Sequence, residues 1–262
     1  MFRKNLPEFD ELAAMESGYS YRPVTVRRAG PQTVAKSSMG TFVSGNYFRV
    51  FGLAPAAGRL FVDADDQKGA PITAVMSYDA WQQDYAGDPS VVGSEFFFNT
   101  KAATIIGVAP KGFYGDRIDT NPPKYFLPMN SMDAVMGAPY FNNPDSEWAY
   151  IIGRVKPGTS LPALQAKASA LLKQQFTPLK TFTDPRAQKA LPRTHVVLTP
   201  GGGGIQNMQD DYKDHLKLLQ WIAALVLLVA CANIANLLLV RGMSRRAELS
   251  IRSCLLYTSR CV

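Results

Sequence analysis

The chain has 262 residues, with 28 Lys and Arg against 21 Asp and Glu and a formal net charge of +7. Five arginines and one glutamate follow Val240, so residues 1–217 carry 23 bases and 20 acids, a balance too even for a nucleic-acid-binding surface. All three cysteines lie beyond residue 230, which means that residues 1–217 fold without disulfides. That length is enough for one large core or two small ones.

Short strands and turns are predicted for the first part of the chain. The apolar spacing within residues 9–15 predicts a short amphipathic helix, whereas alternation in residues 21–29 predicts a strand. Residues 33–43 read as the partner strand after a Gly-Pro turn. Residues 46–51 are predicted to form a helical turn that ends at Gly52.

The following residues alternate strands with two helices. A strand at 72–76 leads into a helix at 78–85, and a second helix at 161–176 has Ser160 as its N-cap and Pro162 in its first turn. Further strands are predicted at residues 96–98, 103–108, 150–155 and 194–199, of which the first two form a hairpin. The mixture indicates an α+β fold.

Residues 218–240 form the most distinctive stretch, since they hold no charged side chain and end on Arg241. At about 1.5 Å per residue this segment reaches roughly 34 Å, enough for a membrane helix across a hydrocarbon core of about 30 Å. Because Lys and Arg beside a span are retained in the cytoplasm, residues 1–217 are predicted to lie outside and the C-terminal tail inside. No apolar run follows Met1, so this topology implies an export signal further upstream.

Signals for catalysis or metal binding are weak. The acidic group Asp63, Asp65 and Asp66 lacks an EF-hand pattern and is interpreted as a solvated loop or helix start, with a cation site as the alternative. The glycines at 201–204 are not followed by the Lys-Ser or Lys-Thr of a phosphate loop, which favours a flexible joint before the membrane helix. The sequence therefore predicts neither an enzyme nor a bound cofactor or metal.

Several short motifs in order along the chain resemble the periplasmic core domain of MacB-like ABC transporter permeases. The longest is Val-Ser-Gly-Asn-Tyr-Phe-Arg-Val-Phe-Gly at residues 43–52. Shorter ones follow at residues 58–61, 91–93, 105–108 and 154–158. The span and the motif Arg-Arg-Ala-Glu-Leu-Ser-Ile-Arg at residues 245–252 resemble the second membrane helix of FtsX-like permeases, most of all those without a fused ATPase.

The resemblance implies a permease of four membrane helices in the bacterial inner membrane, with a periplasmic domain between the first two. It also implies a permease dimer and a separate cytoplasmic ABC ATPase, with a periplasmic adaptor or other envelope protein as a further candidate partner. The predicted organisation is a periplasmic core domain at 1–200, a linker at 201–217, the membrane helix at 218–240 and a coupling segment at 241–252. Within the core domain, a porter-like part at about 1–61 and 146–200 is predicted to hold a smaller inserted subdomain at about 62–145. Residues 253–262 depart from the family pattern and are interpreted as a tail foreign to the permease.

Two asparagines within the span suggest contact with another helix. Asn233 and Asn236 lie three residues apart on one face, beside Ala232 and Ala235. Amides that face lipid are costly, and small neighbours permit close approach, so these four residues are predicted to pack against a second membrane helix. A polar pair tolerated near the cytoplasmic end is the alternative.

The arginines that follow the span fit the ordinary positive flank of a membrane helix. The resemblance implies in addition that Arg245, Arg246, Glu248 and Arg252 belong to a short coupling helix that touches the ATPase. The predicted function is a non-catalytic permease subunit that relays ATP-driven motion from a cytoplasmic ATPase to the periplasmic domain. The alternative is a single-pass membrane-anchored receptor or adhesin that only binds.

Overall fold

A computed structural model of the chain contains two compact units, Met1–Gln206 and Asn207–Val262, here named the outer domain and the helical unit. The structure describes residues 1–18, 21–31, 33–139, 149–178, 188–189, 191–205 and 207–258, the last range by its backbone alone at 207–211, 244–250 and 252–258.

The outer domain is built on a mixed nine-stranded sheet in the order β2-β6-β7-β5-β8-β3-β1-β9, with β4 paired to β7. The β3–β8 and β5–β7 pairs are parallel and the others antiparallel. The strands are β1 Phe9–Glu16, β2 Arg22–Arg28, β3 Lys36–Val43, β4 Ala57–Gly58, β5 Thr73–Met76, β6 Glu95–Phe98, β7 Lys101–Val108, β8 Tyr125–Pro128 and β9 Ala149–Val155. The described α-helices are α1 Phe2–Asn5, α2 Tyr47–Val50, α3 Tyr78–Tyr85, α4 Met132–Met136, α5 Leu161–Phe176 and α6 Asn207–Thr258. The predicted α+β class is confirmed.

Residues 9–15 lie in a strand, so the helix predicted for them is wrong. β1 pairs antiparallel with β9 along its whole length, and Met15 also pairs with Val43 of β3. Ala13 and Met15, two residues apart, are both buried, as expected for one face of a strand. The apolar spacing suits either a short helix or a strand, and pairing with residues far along the chain decides between them.

Most other local predictions agree with the structure. β2 and β3 form the expected hairpin, as do β6 and β7, and α2, α3, β9 and α5 occupy the predicted stretches. The Ser77 hydroxyl accepts a hydrogen bond from the Ala80 amide at 3.2 Å and so caps α3. α3 ends at Ala86, which has a left-handed backbone with φ of 51°, just before the predicted Gly-Asp-Pro stop.

Ser160 is the N-cap residue of α5, as predicted, but its side chain makes no capping hydrogen bond within the described residues. The strand predicted after α5 is wrong. Residues 194–199 form no strand, because their amides bond to α5 side chains. The Val196 amide donates to Ser169 Oγ at 2.9 Å, and the Leu198 amide donates to Gln165 Oε1 at 3.1 Å.

Three hydrophobic clusters stabilise the outer domain. The first surrounds Phe96, Phe98 and Leu127, and the second contains the packed rings of Tyr47, Phe48 and Phe126 with their neighbours. The third cluster joins Leu6 to Leu164 and Ala168 of α5, with Phe2, Val196 and Leu198 packed around it. The start of the chain and the residues shortly before α6 therefore meet at one place in the domain.

The predicted division into porter-like and inserted parts crosses a single continuous sheet. β5 to β8 belong to the predicted inserted part, and they join the rest through the β2–β6, β3–β8 and β4–β7 pairs. The division stays a prediction. The predicted linker is partly helical, since α6 begins at Asn207, and the helical backbone continues to Thr258 within the predicted foreign tail.

Candidate functional site

The helical unit contains one helix, Tyr212–Met243, that is long and apolar enough to cross a membrane, as judged over the described residues. All side chains of this 32-residue stretch are exposed, including the indole of Trp221 near its beginning. An apolar helix without internal contacts is unfavourable in water and is typical of a segment surrounded by lipid or by other helices. The candidate span includes the predicted residues 218–240.

The four residues predicted for helix packing lie on α6 and are exposed in this chain. Asn233 and Asn236 are one turn apart on the same face, with Ala232 and Ala235 beside them. Their packing role stays a prediction.

The predicted coupling residues also lie on α6. The helical backbone runs through Arg245, Arg246, Glu248 and Arg252, but their side chains lie outside the described residues. Their contact with an ATPase therefore stays a prediction.

The last residues of the outer domain, just before α6, contact the loop that contains Asp116 and Arg117, an arrangement that the sequence did not predict. Gly201–Gly203 form a 3₁₀ turn, and the Ile205 amide then donates to the Asp116 carbonyl oxygen at 2.8 Å. Ile205 and Arg117 form a parallel β-bridge. Gly204 has φ of 68°, and a Cβ on it would lie 2.4 Å from the Asp116 carbonyl oxygen, so only glycine fits.

The side chain of Arg117 connects this contact to β1. It is 8% exposed, and its guanidinium donates to the carbonyl oxygens of Glu16 and Gly18, each at 2.6 Å, and to Asp116 Oδ1 at 2.9 Å. It lies over the rings of Tyr21 and Tyr150 at 4.7 and 5.5 Å from their centroids. Buried charges are stable only when they are paired in this way.

The electrostatics of this cluster favour the charged form of the Arg117 guanidinium. Burial alone would lower the pKa of Arg117, but the hydrogen bond and negative charge of Asp116 outweigh it, so the pKa is raised. Burial and the nearby Asp116 carboxylate raise the pKa of Tyr21, whose hydroxyl donates to Asp116 Oδ1 at 2.9 Å. The cluster is therefore a fixed structural contact at neutral pH.

The acidic group interpreted as a loop or helix start forms a 3₁₀ turn, Asp63–Asp66, held by arginines. Asp65 receives two hydrogen bonds from Arg59, at 2.7 and 2.8 Å, and Asp63 pairs with Arg49 at 3.0 Å. The Asn130 amide donates to Asp66 at 2.8 Å. Among the described residues, no group of three His, Cys, Asp or Glu side chains could hold a metal ion.

A cleft of about 500 Å³ opens beside the N-terminus of α3, with Tyr78, Phe113 and Lys124 among its lining residues. The Lys124 amine is paired with Asp84 at 2.7 Å. The lining residues include neither His nor Cys, so the cleft contains neither a cysteine nucleophile nor a histidine base.

Comparison with known proteins agrees with the family that the motifs resemble. The family model of the MacB-like periplasmic core domain matches residues 1–171. The macrolide export ATP-binding/permease proteins MacB of Salmonella paratyphi A (strain ATCC 9150 / SARB42) and Salmonella typhi are each 26% identical over 228 residues, which cover 86% of this chain and 31% of the relative. The chain thus spans about a third of the length of these relatives.

Two solved structures have a similar fold. The periplasmic region of MacB from Actinobacillus actinomycetemcomitans is 15% identical, with 66% of this chain and 70% of that one covered and a TM-score of 0.47. The extracellular domain of the noncanonic ABC-type transporter YknZ from Gram-positive bacteria is also 15% identical, with 66% and 79% covered and a TM-score of 0.45. On the family match, the chain belongs to the MacB-like periplasmic core domain family and contains the periplasmic domain of a MacB-like ABC transporter permease, followed by one candidate membrane-spanning helix.

Proposed function

We propose that this chain is part of a non-catalytic permease subunit in the bacterial inner membrane. It relays ATP-driven motion from a separate cytoplasmic ABC ATPase to its periplasmic domain. The observation that carries the proposal is the family match over residues 1–171, followed in the same chain by the candidate span Tyr212–Met243. ATP hydrolysis belongs to the partner.

The packing of the outer domain supports its insertion between two membrane helices. A domain inserted into a longer chain needs its two ends close together. Phe2 and Leu6 share the third hydrophobic cluster with Val196 and Leu198, which precede α6 by about ten residues in the printed sequence. The domain can therefore connect two neighbouring helices of one permease.

Charge supports the orientation of α6. Beyond Val240 the chain has five arginines and one glutamate, whereas Asp210, Asp211 and Asp214 precede the apolar stretch. The positive flank belongs in the cytoplasm, where an ATPase can reach residues 245–252. A permease dimer gives Asn233 and Asn236 helix surfaces with which to pack.

The deciding experiment changes Glu248, the one acid in the basic flank. Glu248→Lys in the complete permease should leave insertion unchanged and reduce stimulation of the partner ATPase, because a charge that can meet a basic partner is reversed. Ser250→Lys is the matched control, since it adds positive charge about 200° further around the helix. Equal ATPase stimulation by both variants and the wild type, at normal abundance, would remove the coupling assignment and favour a membrane-anchored binding protein.

A further inference from the structure

We propose that the contact of Gly204 and Ile205 with Asp116 and Arg117, which we name the anchor, is the point where α6 is mechanically joined to the outer domain. The role of the anchor in transferring motion rests on the proposed function. The contacts of the anchor do not, because its four residues all lie within the outer domain.

The backbone of the anchor is held on both sides. The Ile205 amide bonds to the Asp116 carbonyl oxygen at 2.8 Å, and the Ile205 side chain packs on the second hydrophobic cluster. Gly204 passes so close to Asp116 that any side chain would strike the carbonyl oxygen. A bulkier residue at this position must lift the segment off the domain.

The side chains of the anchor pass load from the connecting segment to the sheet. Arg117 is bonded to the carbonyl oxygens of Glu16 and Gly18, at and just beyond the end of β1. The Asp116 and Arg117 side chains are 1% and 4% exposed, so their pairing is shielded from water. Separating such a pair leaves uncompensated buried charge, which makes the anchor resist displacement.

The position of the anchor changes the role of the glycine run. The sequence predicts a flexible joint at residues 201–204, between the outer domain and the helix. Ile205 lies after those glycines, and one residue, Gln206, separates it from Asn207, where α6 begins. One residue spans at most about 3.6 Å, so little free chain remains between the anchor and the helix. Flexibility of the glycines on the domain side does not slacken this connection.

Two insertions test this directly in the complete permease, reconstituted with its ATPase in lipid nanodiscs. Gly-Ser-Gly-Ser inserted after Gln206 lies between the anchor and α6, and the same insertion after Gly202 lies on the domain side. The readouts are ATPase stimulation and the ATP-dependent change in hydrogen exchange of β1. We expect the insertion after Gln206 to abolish the exchange change while ATPase stimulation is kept, because the cytoplasmic contact is untouched. The insertion after Gly202 should keep both. Equal behaviour of the two insertions would overturn the proposal.

A pair of single substitutions tests the anchor without added length. Gly204→Ala should make the Ile205 amide exchange faster and abolish the ATP-dependent change in β1. Gly202→Ala should do neither, since nothing lies within 4 Å of a Cβ at Gly202. Unchanged exchange at Ile205 in Gly204→Ala would overturn the anchor itself. If the wild type shows no ATP-dependent change at all, the proposed function fails, and protection of the Ile205 amide still decides whether the segment is anchored.

Discussion

Replacing Arg117 by methionine should destabilise the outer domain by about 3–5 kcal/mol, the usual cost of removing one partner of a buried ion pair. Methionine keeps an apolar stem between Tyr21 and Tyr150, so lost packing adds little. What is lost is the charge beside Asp116, whose side chain is 1% exposed, and the donors to two backbone carbonyls. A whole domain is stable by only about 5–15 kcal/mol, so the effect is large.

The measurement is pulse proteolysis of the outer domain across a urea series, with the protein in detergent micelles. With a urea m-value of about 2–3 kcal/mol/M, the expected loss lowers the midpoint by about 1–2.5 M. Arg27→Met is the matched control, because its guanidinium lies over the Phe97 ring at 4.5 Å with partial exposure, a contact worth about 0.5–1 kcal/mol at exposed sites. Adding Asp116→Asn to Arg117→Met should recover part of the loss, since the unpaired charge is removed. A midpoint for Arg117→Met equal to that of Arg27→Met would refute the reasoning.

Three further predictions use the same protein. The hydrogen bond and charge of Arg49 lower the pKa of Glu11. The contribution of Glu11 to stability is therefore present above pH about 4.5 and is lost as the pH falls below that value. In Glu11→Gln the urea midpoint should consequently drop less steeply with acid than in the wild type. Changing Asn233 and Asn236 together to Leu should weaken permease assembly modestly, by about 0.6 kcal/mol per hydrogen bond, without reducing membrane insertion; wild-type assembly in a dimer assay would contradict this. With the native cysteines replaced, Ser160→Cys should react with an impermeant thiol reagent from the periplasmic side and Ser244→Cys should not, and the reverse pattern would invert the topology.

Local elements of the outer domain could be predicted because their signals are local. The β2–β3 and β6–β7 hairpins and the β5–α3 unit are each bounded by turn residues and contain regular alternation or spacing. β1 could not be assigned in this way. Its apolar residues suit two periodicities, and its partner β9 lies about 140 residues later in the printed sequence. The strand predicted at residues 194–199 is wrong for a related reason. Side chains of α5 accept the hydrogen bonds that a neighbouring strand would otherwise accept.

The candidate site also has one part that the sequence predicts and one part that it does not. Composition alone indicates the membrane helix, because an uncharged run of this length has few other stable environments. Nothing in the local sequence distinguishes Asp116 and Arg117 from a solvated loop pair. They are buried by Tyr21, Tyr150 and Ile205, which are distant in sequence, and only the folded chain brings these residues together.

The anchor also bears on how the outer domain would move. Asp116 and Arg117 belong to the predicted inserted part, yet Arg117 holds the end of β1, which belongs to the predicted porter-like part. At its other end, β1 follows α1 and Leu6, which pack against α5 in the third cluster. If the anchor joins α6 to the outer domain as proposed, a displacement of α6 would act on a strand of about 27 Å that is held at both ends and paired with β9. A load directed along a strand is shared by the hydrogen bonds of its ladder. On the proposed function the two predicted parts would be displaced together, because separating them would require breaking the β2–β6, β3–β8 and β4–β7 strand pairs and the buried Arg117 contacts.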